Sequence, residues 1–299
     1  MQRSLCVLKL DFIINFDNMT AQILDGKLIS QQLIASIGEK IAKRIEKGHS
    51  PPGLAVVLVG DNPASEIYVR NKVSACEKAG INSVSFKFPR TVSEKELFQL
   101  IDELNEDEMI HGILVQLPLP QHIHEVEVTN RIHPNKDVDG FHAENVGRLA
   151  LRQPGLRPCT PRGVMTLLHA YDIIPKSKHV VIVGASNIVG RPLMLEMLYA
   201  GATVTVCHRF TKDLEKHVNS AEILCVAIGK PGIVKSEWIP NDCIVVDVAI
   251  NRKENGKLCG DVDFEAVKPK VAWITPVPGG VGPMTVATLM QNTYEASLL

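Results

Sequence analysis

A run of branched residues, Val180-Val181-Ile182-Val183, passes straight into Gly184-Ala185-Ser186-Asn187-Ile188-Val189-Gly190, and a helix-like stretch follows. Strand, glycine-bounded turn and helix in that order leave free backbone N–H groups at a helix start, where the peptide dipoles favour phosphate oxygens. Gly184 suits a tight turn, and Gly190 suits a close approach of helix to strand. Ser186 stands where the middle glycine of the usual dinucleotide pattern would be, so on this segment alone a plain strand-to-helix turn stays open. The next apolar run, Thr203 to Cys207, ends in His208-Arg209 rather than in an Asp or Glu that would hold a ribose diol. An acid there would repel a 2′-phosphate, whereas Arg209 can pair with one bidentately. Arg191, just inside the helix, is a second candidate cation. These residues read as an NADP site rather than an NAD site, the bland alternative for Arg209 being a solvated surface arginine.

A second set of residues lies upstream. Tyr68 and Lys72, four residues apart, share one face of a helix, as do many pairs on solvated helix surfaces. Gln116 ends a buried apolar run just before Pro118, and ligands of parallel sheets bind at the carboxyl ends of strands. Asp137 and Asp139 fall in the turn-like Lys136-Asp137-Val138-Asp139-Gly140, without the spacing of a calcium-binding loop. Thr275 to Thr285 contains three glycines and three prolines, a stiff loop with exposed backbone. It suits a ligand, an interdomain connector, or both. His122 and His124 lack further metal ligands nearby and read as solvated. Asp261 and Asp263 read as a surface turn, and Trp238 and Trp273 as core or boundary residues.

The elements that must position these residues alternate. Helical spacing spans 28–47, with strands expected at 54–59, 81–88 and 113–117. Helices are expected from Ser65, as the cap, to Ala79 and over 93–105. This order implies an α/β domain with a mainly parallel sheet. Past a Pro-, Gly- and Arg-rich linker around 152–161, strands are expected at 179–183, 203–207, 223–227, 244–248 and 272–275. A helix over 190–200 joins the first two. The expected organisation is a catalytic domain over 20–141 and a Rossmann-type domain over 142–284, with the cleft between them. A helix over 285–299 packs back on the first domain.

Composition agrees. The 299 residues are 45% hydrophobic and 22% charged, with a formal net charge of −1, so no global field recruits nucleic acid or an anionic membrane. Seven cysteines without a C-x-x-C pair read as free thiols of a reducing cytosol, and no metal site is expected. No apolar run reaches the roughly 20 residues of a membrane span. Residues 1–18 fit a signal peptide poorly, because Lys9 and Asp11 interrupt the apolar stretch, and they read as a mis-set start or a dispensable tail.

Taken together, the motifs resemble the bifunctional methylenetetrahydrofolate dehydrogenase/methenyltetrahydrofolate cyclohydrolase family from Ala21 to the C-terminus. The resemblance rests on Asp61-Asn62-Pro63-Ala64-Ser65 leading to Tyr68 and Lys72, then Val115 to Pro120, Lys136 to Gly140, Pro158-Cys159-Thr160-Pro161, Gly184 to Pro192 and Pro278 to Thr285. Ala185 departs from the arginine that some members place there to bind cofactor phosphate, which leaves that work to Arg191 and Arg209.

The resemblance implies the roles. Lys72 is expected as general acid/base of a hydrolytic step, Gln116 as the partner that tunes it, Tyr68 as a platform for folate and Asp139 as the acceptor for pterin N–H groups. Pro118 and the Pro278-Gly279-Gly280 loop are expected against the substrate. Gly184, Ala185, Ser186, Ile188, Val189, Gly190, Arg191, His208, Arg209 and Ile250 are expected at the cofactor. The implied partners are tetrahydrofolate derivatives, in a cytoplasmic homodimer. A free lysine, with pKa about 10.4, is too basic to accept a proton near neutrality, so a lysine base needs a closed cleft. A monofunctional dehydrogenase of the same family is one alternative. Another is a two-domain NADP dehydrogenase for a different small substrate, which would have no reason to keep Tyr68, Lys72, Gln116 and Asp139 together.

Overall fold

Residues 20–299 are described by the structure, a computed structural model, and the expectation for residues 1–18 lies outside them. In chain order the elements are β1 (Gln22–Ile23), α1 (Gly26–Glu46), β2 (Gly53–Val59), α2 (Pro63–Ala79), β3 (Asn82–Phe88), α3 (Glu94–Glu106), β4 (Gly112–Val115), α4 (Glu125–Arg131), α5 (Ala143–Ala150), α6 (Cys159–Ala170), β5 (His179–Val183), α7 (Gly190–Tyr199), β6 (Thr203–Cys207), α8 (Leu214–Asn219), β7 (Ile223–Val226), β8 (Ile244–Asp247), β9 (Asn251–Arg252), β10 (Leu258–Cys259), α9 (Phe264–Val267), β11 (Trp273–Ile274) and α10 (Val281–Ala296).

Two parallel sheets organise the molecule. The first has the order β3-β2-β4, and all seven residues of β2 are buried. That burial explains why its sequence, Gly-Leu-Ala-Val-Val-Leu-Val, is continuously apolar instead of alternating: helices cover both faces. Leu54 and Val56 pack with α1, α2 and α10, while Ala55, Val57 and Val59 pack with α3 and α4. The second sheet has the order β1-β11-β8-β7-β5-β6, and each of its pairs is parallel. Its faces alternate residue by residue. Val180 and Ile182 join one core, and Val181 and Val183 join the other.

Local chemistry sets the helix starts. Asp25 caps α1 by accepting from Leu28 N at 2.9 Å. Ser93 and Glu96 form a reciprocal capping box on α3. Helix α2 departs from expectation: Ser65 is not its cap. The helix begins at Pro63, whose fixed φ and missing N–H suit a first helical position, and Ser65 is buried in the first turn.

Two further boundaries differ. Helix α10 begins at Val281 rather than Thr285, because Pro283 falls in its first turn and does not interrupt it. It packs on α1, α2 and α6. The first strand breaks the expected division at 141/142. Gln22 and Ile23 pair with Trp273 and Ile274, so β1 is the edge of the second sheet. Leu24 N donates to Ile274 O at 3.0 Å, so the edge is satisfied up to the start of α1.

Candidate active site

Lys72 lies on the buried side of α2, 8% exposed, and its Nζ donates to Gln116 Oε1 at 3.1 Å. Gln116 follows β4 directly and is held at both ends. Its backbone N donates to Val57 O at 2.8 Å, and its side-chain Nε2 donates to Leu117 O at 2.7 Å. A lysine ammonium only donates and a carbonyl only accepts, so the amide has a single sensible orientation, with oxygen toward Lys72. Pro118 follows in a cis peptide with Leu117.

Asp139 completes the cluster. Burial raises its carboxyl pKa, and the nearby Lys72 charge opposes that shift. Tyr68 lies one helical turn before Lys72 and is 39% exposed, with its phenol pushed up by desolvation. The structure therefore brings Lys72, Gln116 and Asp139 together and leaves the Tyr68 ring part-open on the same helix.

The two aspartates of the 136–140 turn have separate tasks. Asp137 is 1% exposed and spends its oxygens on the N–H groups of Gly140, Phe141 and His142 and on Asn145 Nδ2. It holds the turn, whereas the Asp139 carboxylate has no such partner among the described residues.

The Pro278-Gly279-Gly280 loop is pinned across the two halves of the molecule. Lys27 N donates to Gly279 O at 2.8 Å. Gly26 approaches so closely that a Cβ on it would fall 1.8 Å from Gly280 O. Val277-Pro278 is a second cis peptide. Ile250, which follows β8, lies over Gly282 at the start of α10.

The strand–turn–helix segment forms as the spacing predicts. Gly184 has φ +124°, and a Cβ there would fall 2.2 Å from Ala227 O. A Cβ on Gly190 would fall 1.9 Å from Gly184 O, so α7 starts in direct backbone contact with the turn. Ser186, in place of a middle glycine, accepts from Val189 N at 3.2 Å and Gly190 N at 3.4 Å. Arg191 Nε donates to Ala185 O at 3.2 Å, which holds its guanidinium beside the turn. Ile188 is 40% exposed and Val189 half-buried. At the end of β6, Arg209 stacks over Phe210 at 4.6 Å, and His208 N donates to Thr211 Oγ1 at 2.8 Å. No Asp or Glu stands at that strand end.

Other expectations are sharpened or corrected. Asp261 is not in a surface turn. It is 1% exposed and accepts from Ile228 N, Gly229 N and Asn251 Nδ2. Its neighbour across the fold is Asp247, which accepts from Asp261 N and Val262 N and is pushed up to about 7 by burial. The signal available in the sequence was position: Asp247 ends a buried strand. Asp263 caps α9. His122 donates to Val92 O, and His124 pairs with Glu94, so both have protein partners. Among the described residues no group of three His, Cys, Asp or Glu is arranged to hold a metal, and six cysteines are free. A cavity of about 700 Å³ is lined by Asp247, Asp261, Phe264, Thr275 and Pro276, among others, but by none of Tyr68, Lys72, Gln116 or Asp139 and by none of residues 184–191. The geometry of the cluster and the turn, not cavity size, marks the site.

Residues 24–139 match the tetrahydrofolate dehydrogenase/cyclohydrolase catalytic domain, and residues 158–298 match the NAD(P)-binding domain of the same family. The chain belongs to the tetrahydrofolate dehydrogenase/cyclohydrolase family. Solved relatives agree along nearly the whole length. A bifunctional methylenetetrahydrofolate dehydrogenase/cyclohydrolase from Campylobacter jejuni is 50% identical with a TM-score of 0.91, covering 93% of this chain and 99% of that one. A 5,10-methylenetetrahydrofolate dehydrogenase from the silkworm Bombyx mori is 38% identical, TM-score 0.88, covering 93% and 98%. A methylenetetrahydrofolate dehydrogenase-cyclohydrolase from Trypanosoma brucei, complexed with NADP and an inhibitor, is 36% identical, TM-score 0.88, covering 94% and 99%. The second sheet with α7 is thus the NAD(P)-binding part of a family member, and the Lys72 cluster lies in its catalytic part.

Proposed function

We propose that the protein oxidises 5,10-methylenetetrahydrofolate to the 5,10-methenyl compound with NADP+ and then hydrolyses that product to 10-formyltetrahydrofolate. The observation that carries the reading is the hydrogen bond from buried Lys72 to Gln116, at the end of β4 and beside Asp139. It supports a hydrolytic centre in addition to a dehydrogenase, and so favours the bifunctional reading over a monofunctional one.

The residues of the turn fit NADP. The backbone contact of Gly190 with Gly184 leaves a cradle that one Cβ would close. Arg191 and Arg209 supply cations for the phosphates, and no acid opposes a 2′-phosphate at the end of β6. His208, Ile188, Val189 and Ile250 complete the surface on which the cofactor is proposed to lie. A cofactor held there would supply the hydride acceptor for the carbon that bridges two folate nitrogens.

The remaining chemistry belongs to the chain's own side chains. The methenyl carbon is an amidinium-like cation and is already electrophilic, so water addition needs positioning and proton movement. Lys72 takes a proton from the attacking water and returns it to the ring nitrogen as the carbon–nitrogen bond opens, while the remaining hydroxyl proton leaves to solvent as the formyl C=O forms. Gln116 fixes the Lys72 amine. Asp139 accepts from pterin N–H groups, Tyr68 packs on the ring, and Pro118 with the Pro278-Gly279-Gly280 loop bounds the substrate.

By the same reading the protein serves one-carbon metabolism, supplying purine, methionine and histidine biosynthesis, as a cytoplasmic homodimer. Unpaired cysteines support a reducing compartment.

Lys72→Met tests the proposal. Hydrolysis of the methenyl compound should fall about 100-fold or more, the usual worth of positioned acid–base catalysis. Reduction of NADP+ should continue, with the methenyl compound accumulating. A variant hydrolysing that compound at the wild-type rate would remove the role of Lys72.

A further inference from the structure

Asp139 has no hydrogen-bonding partner for its carboxylate among the described residues, so the direction of its Cα–Cβ bond is fixed by backbone alone. Two groups hold that backbone. Cys159 N donates to Asp139 O at 3.2 Å, and the preceding carbonyl, Val138 O, accepts from Asn292 Nδ2 at 2.7 Å and from Cys159 Sγ at 3.1 Å. Asn292 lies on α10, 154 positions from Val138, and is 0% exposed. Its Nδ2 also donates to Arg157 O at 2.8 Å, so one carboxamide ties the 137–140 turn to the segment entering α6.

The orientation of that carboxamide is not left to chance. Its Oδ1 accepts from Arg162 Nη1 at 2.6 Å. Arginine only donates and the two carbonyls only accept, so the amide cannot flip without placing like against like twice. Arg162 is itself fixed by two parallel bonds to Glu295, both at 2.7 Å. Burial works against the Glu295 carboxylate, yet the Arg162 hydrogen bonds outweigh it and hold Glu295 below the usual carboxylate range. The chain of constraint runs from Glu295 to Arg162, to Asn292, to the peptide that carries Asp139.

We infer that Asn292 is a positioning residue for folate recognition: the C-terminal helix aims the Asp139 carboxylate through the Asn292 carboxamide. The inference rests on the reading of Asp139 as a substrate-binding group. The Asn292 side chain hydrogen-bonds Arg162, Val138, Arg157 and Cys159, and none of these partners is Lys72 or in the Gly184–Gly190 turn, so its effect falls on substrate affinity and not on cofactor affinity.

The experiment compares Asn292→Leu, Asp139→Asn and the double variant with the wild-type enzyme. Methenyltetrahydrofolate hydrolysis without cofactor gives the folate KM, and the dehydrogenase reaction gives the KM for NADP+. Asn292→Leu should raise the folate KM about 10-fold, since small displacements of a recognition group are costly, with kcat and the NADP+ KM changed by less than about threefold. In the Asp139→Asn background the same substitution should add less than about twofold, because residues acting in one chain are non-additive. If Asn292→Leu does not fold, Asn292→Ser, which leaves room for a water, is read the same way.

A folded Asn292 variant with wild-type folate KM, beside an impaired Asp139→Asn, overturns the inference alone. So does full multiplication of the two effects, or an NADP+ KM that rises in step with the folate KM. An Asp139→Asn enzyme with wild-type folate KM overturns the underlying reading of Asp139, and the inference with it.

Discussion

Gly190→Ala isolates the cofactor half of the molecule. An alanine Cβ at this position would sit 1.9 Å from Gly184 O, 2.6 Å from Gly184 C and 3.0 Å from Ala185 Cα. All three are backbone atoms, so no side chain can swing aside. Reaching an ordinary contact near 3.4 Å means moving the start of α7 about 1.5 Å from the turn, and misplacements of about 1 Å commonly cost about 100-fold in rate. Overpacking of this kind also costs about 1–3 kcal/mol of stability. The expected result is a fall of about 100-fold in kcat/KM for NADP+, while cofactor-free hydrolysis of methenyltetrahydrofolate stays within about threefold of wild type. Hydrolysis thus serves as an internal control for folding. The reasoning fails if the folded variant reduces NADP+ within threefold of the wild-type rate, or if both activities fall together.

Replacing Arg209 with Asp removes the cation at the end of β6 and adds a repelling charge. The NADP-to-NAD ratio of kcat/KM should drop about 100-fold, the worth of two charge-assisted hydrogen bonds, and an unchanged ratio would refute the assignment. Asp247 titrates near 7 because burial disfavours its charged form, against an ordinary value of 3.8. The folded state therefore binds more protons than the unfolded state across that window, so stability is lost as pH rises from about 4 to about 7 and is level above it. The ceiling is about 4 kcal/mol, from roughly three pH units at 1.36 kcal/mol each. Denaturant unfolding across this range should show a shallower slope for Asp247→Asn than for wild type, and identical slopes would exclude Asp247 as the source.

What was legible in the sequence was local. The branched run of β5, the glycines around the turn and the i, i+4 pair on α2 each encode their geometry within a few residues, and each forms as expected. The Lys72–Gln116 bond joins positions 44 apart, and no local pattern encodes it; in the sequence only the family resemblance points to the pair. Ser65 misled because it has a cap's chemistry, whereas Pro63 already supplies the helical φ and leaves the serine inside. Asp261 misled because neighbouring glycine and aspartate suggest solvent, while the N–H groups it serves come from a loop 33 positions away. Asn292 carried no sequence signal at all. A polar residue in an apolar helix looks like a tolerated exception until its partners near Val138 and Arg157 are in place.

The pairing of β1 with β11 means that covalent order and domain membership do not coincide. The first described strand lies in the NAD(P)-binding sheet; the chain then leaves that sheet to build the catalytic part, returns, and sends α10 back across α1 and α2. On a ribosome, β1 emerges about 250 residues before the strand it must pair with, and the helices of the catalytic part wait for a cover made last. Both cores draw on α10, through Val281 and Met284 on one side and Leu289 and Met290 on the other, so neither is filled until that helix is in place. A chain severed between the two parts would leave one sheet without its edge strand and the other without a helix of its covering layer, so recovery would become a bimolecular event that depends on concentration.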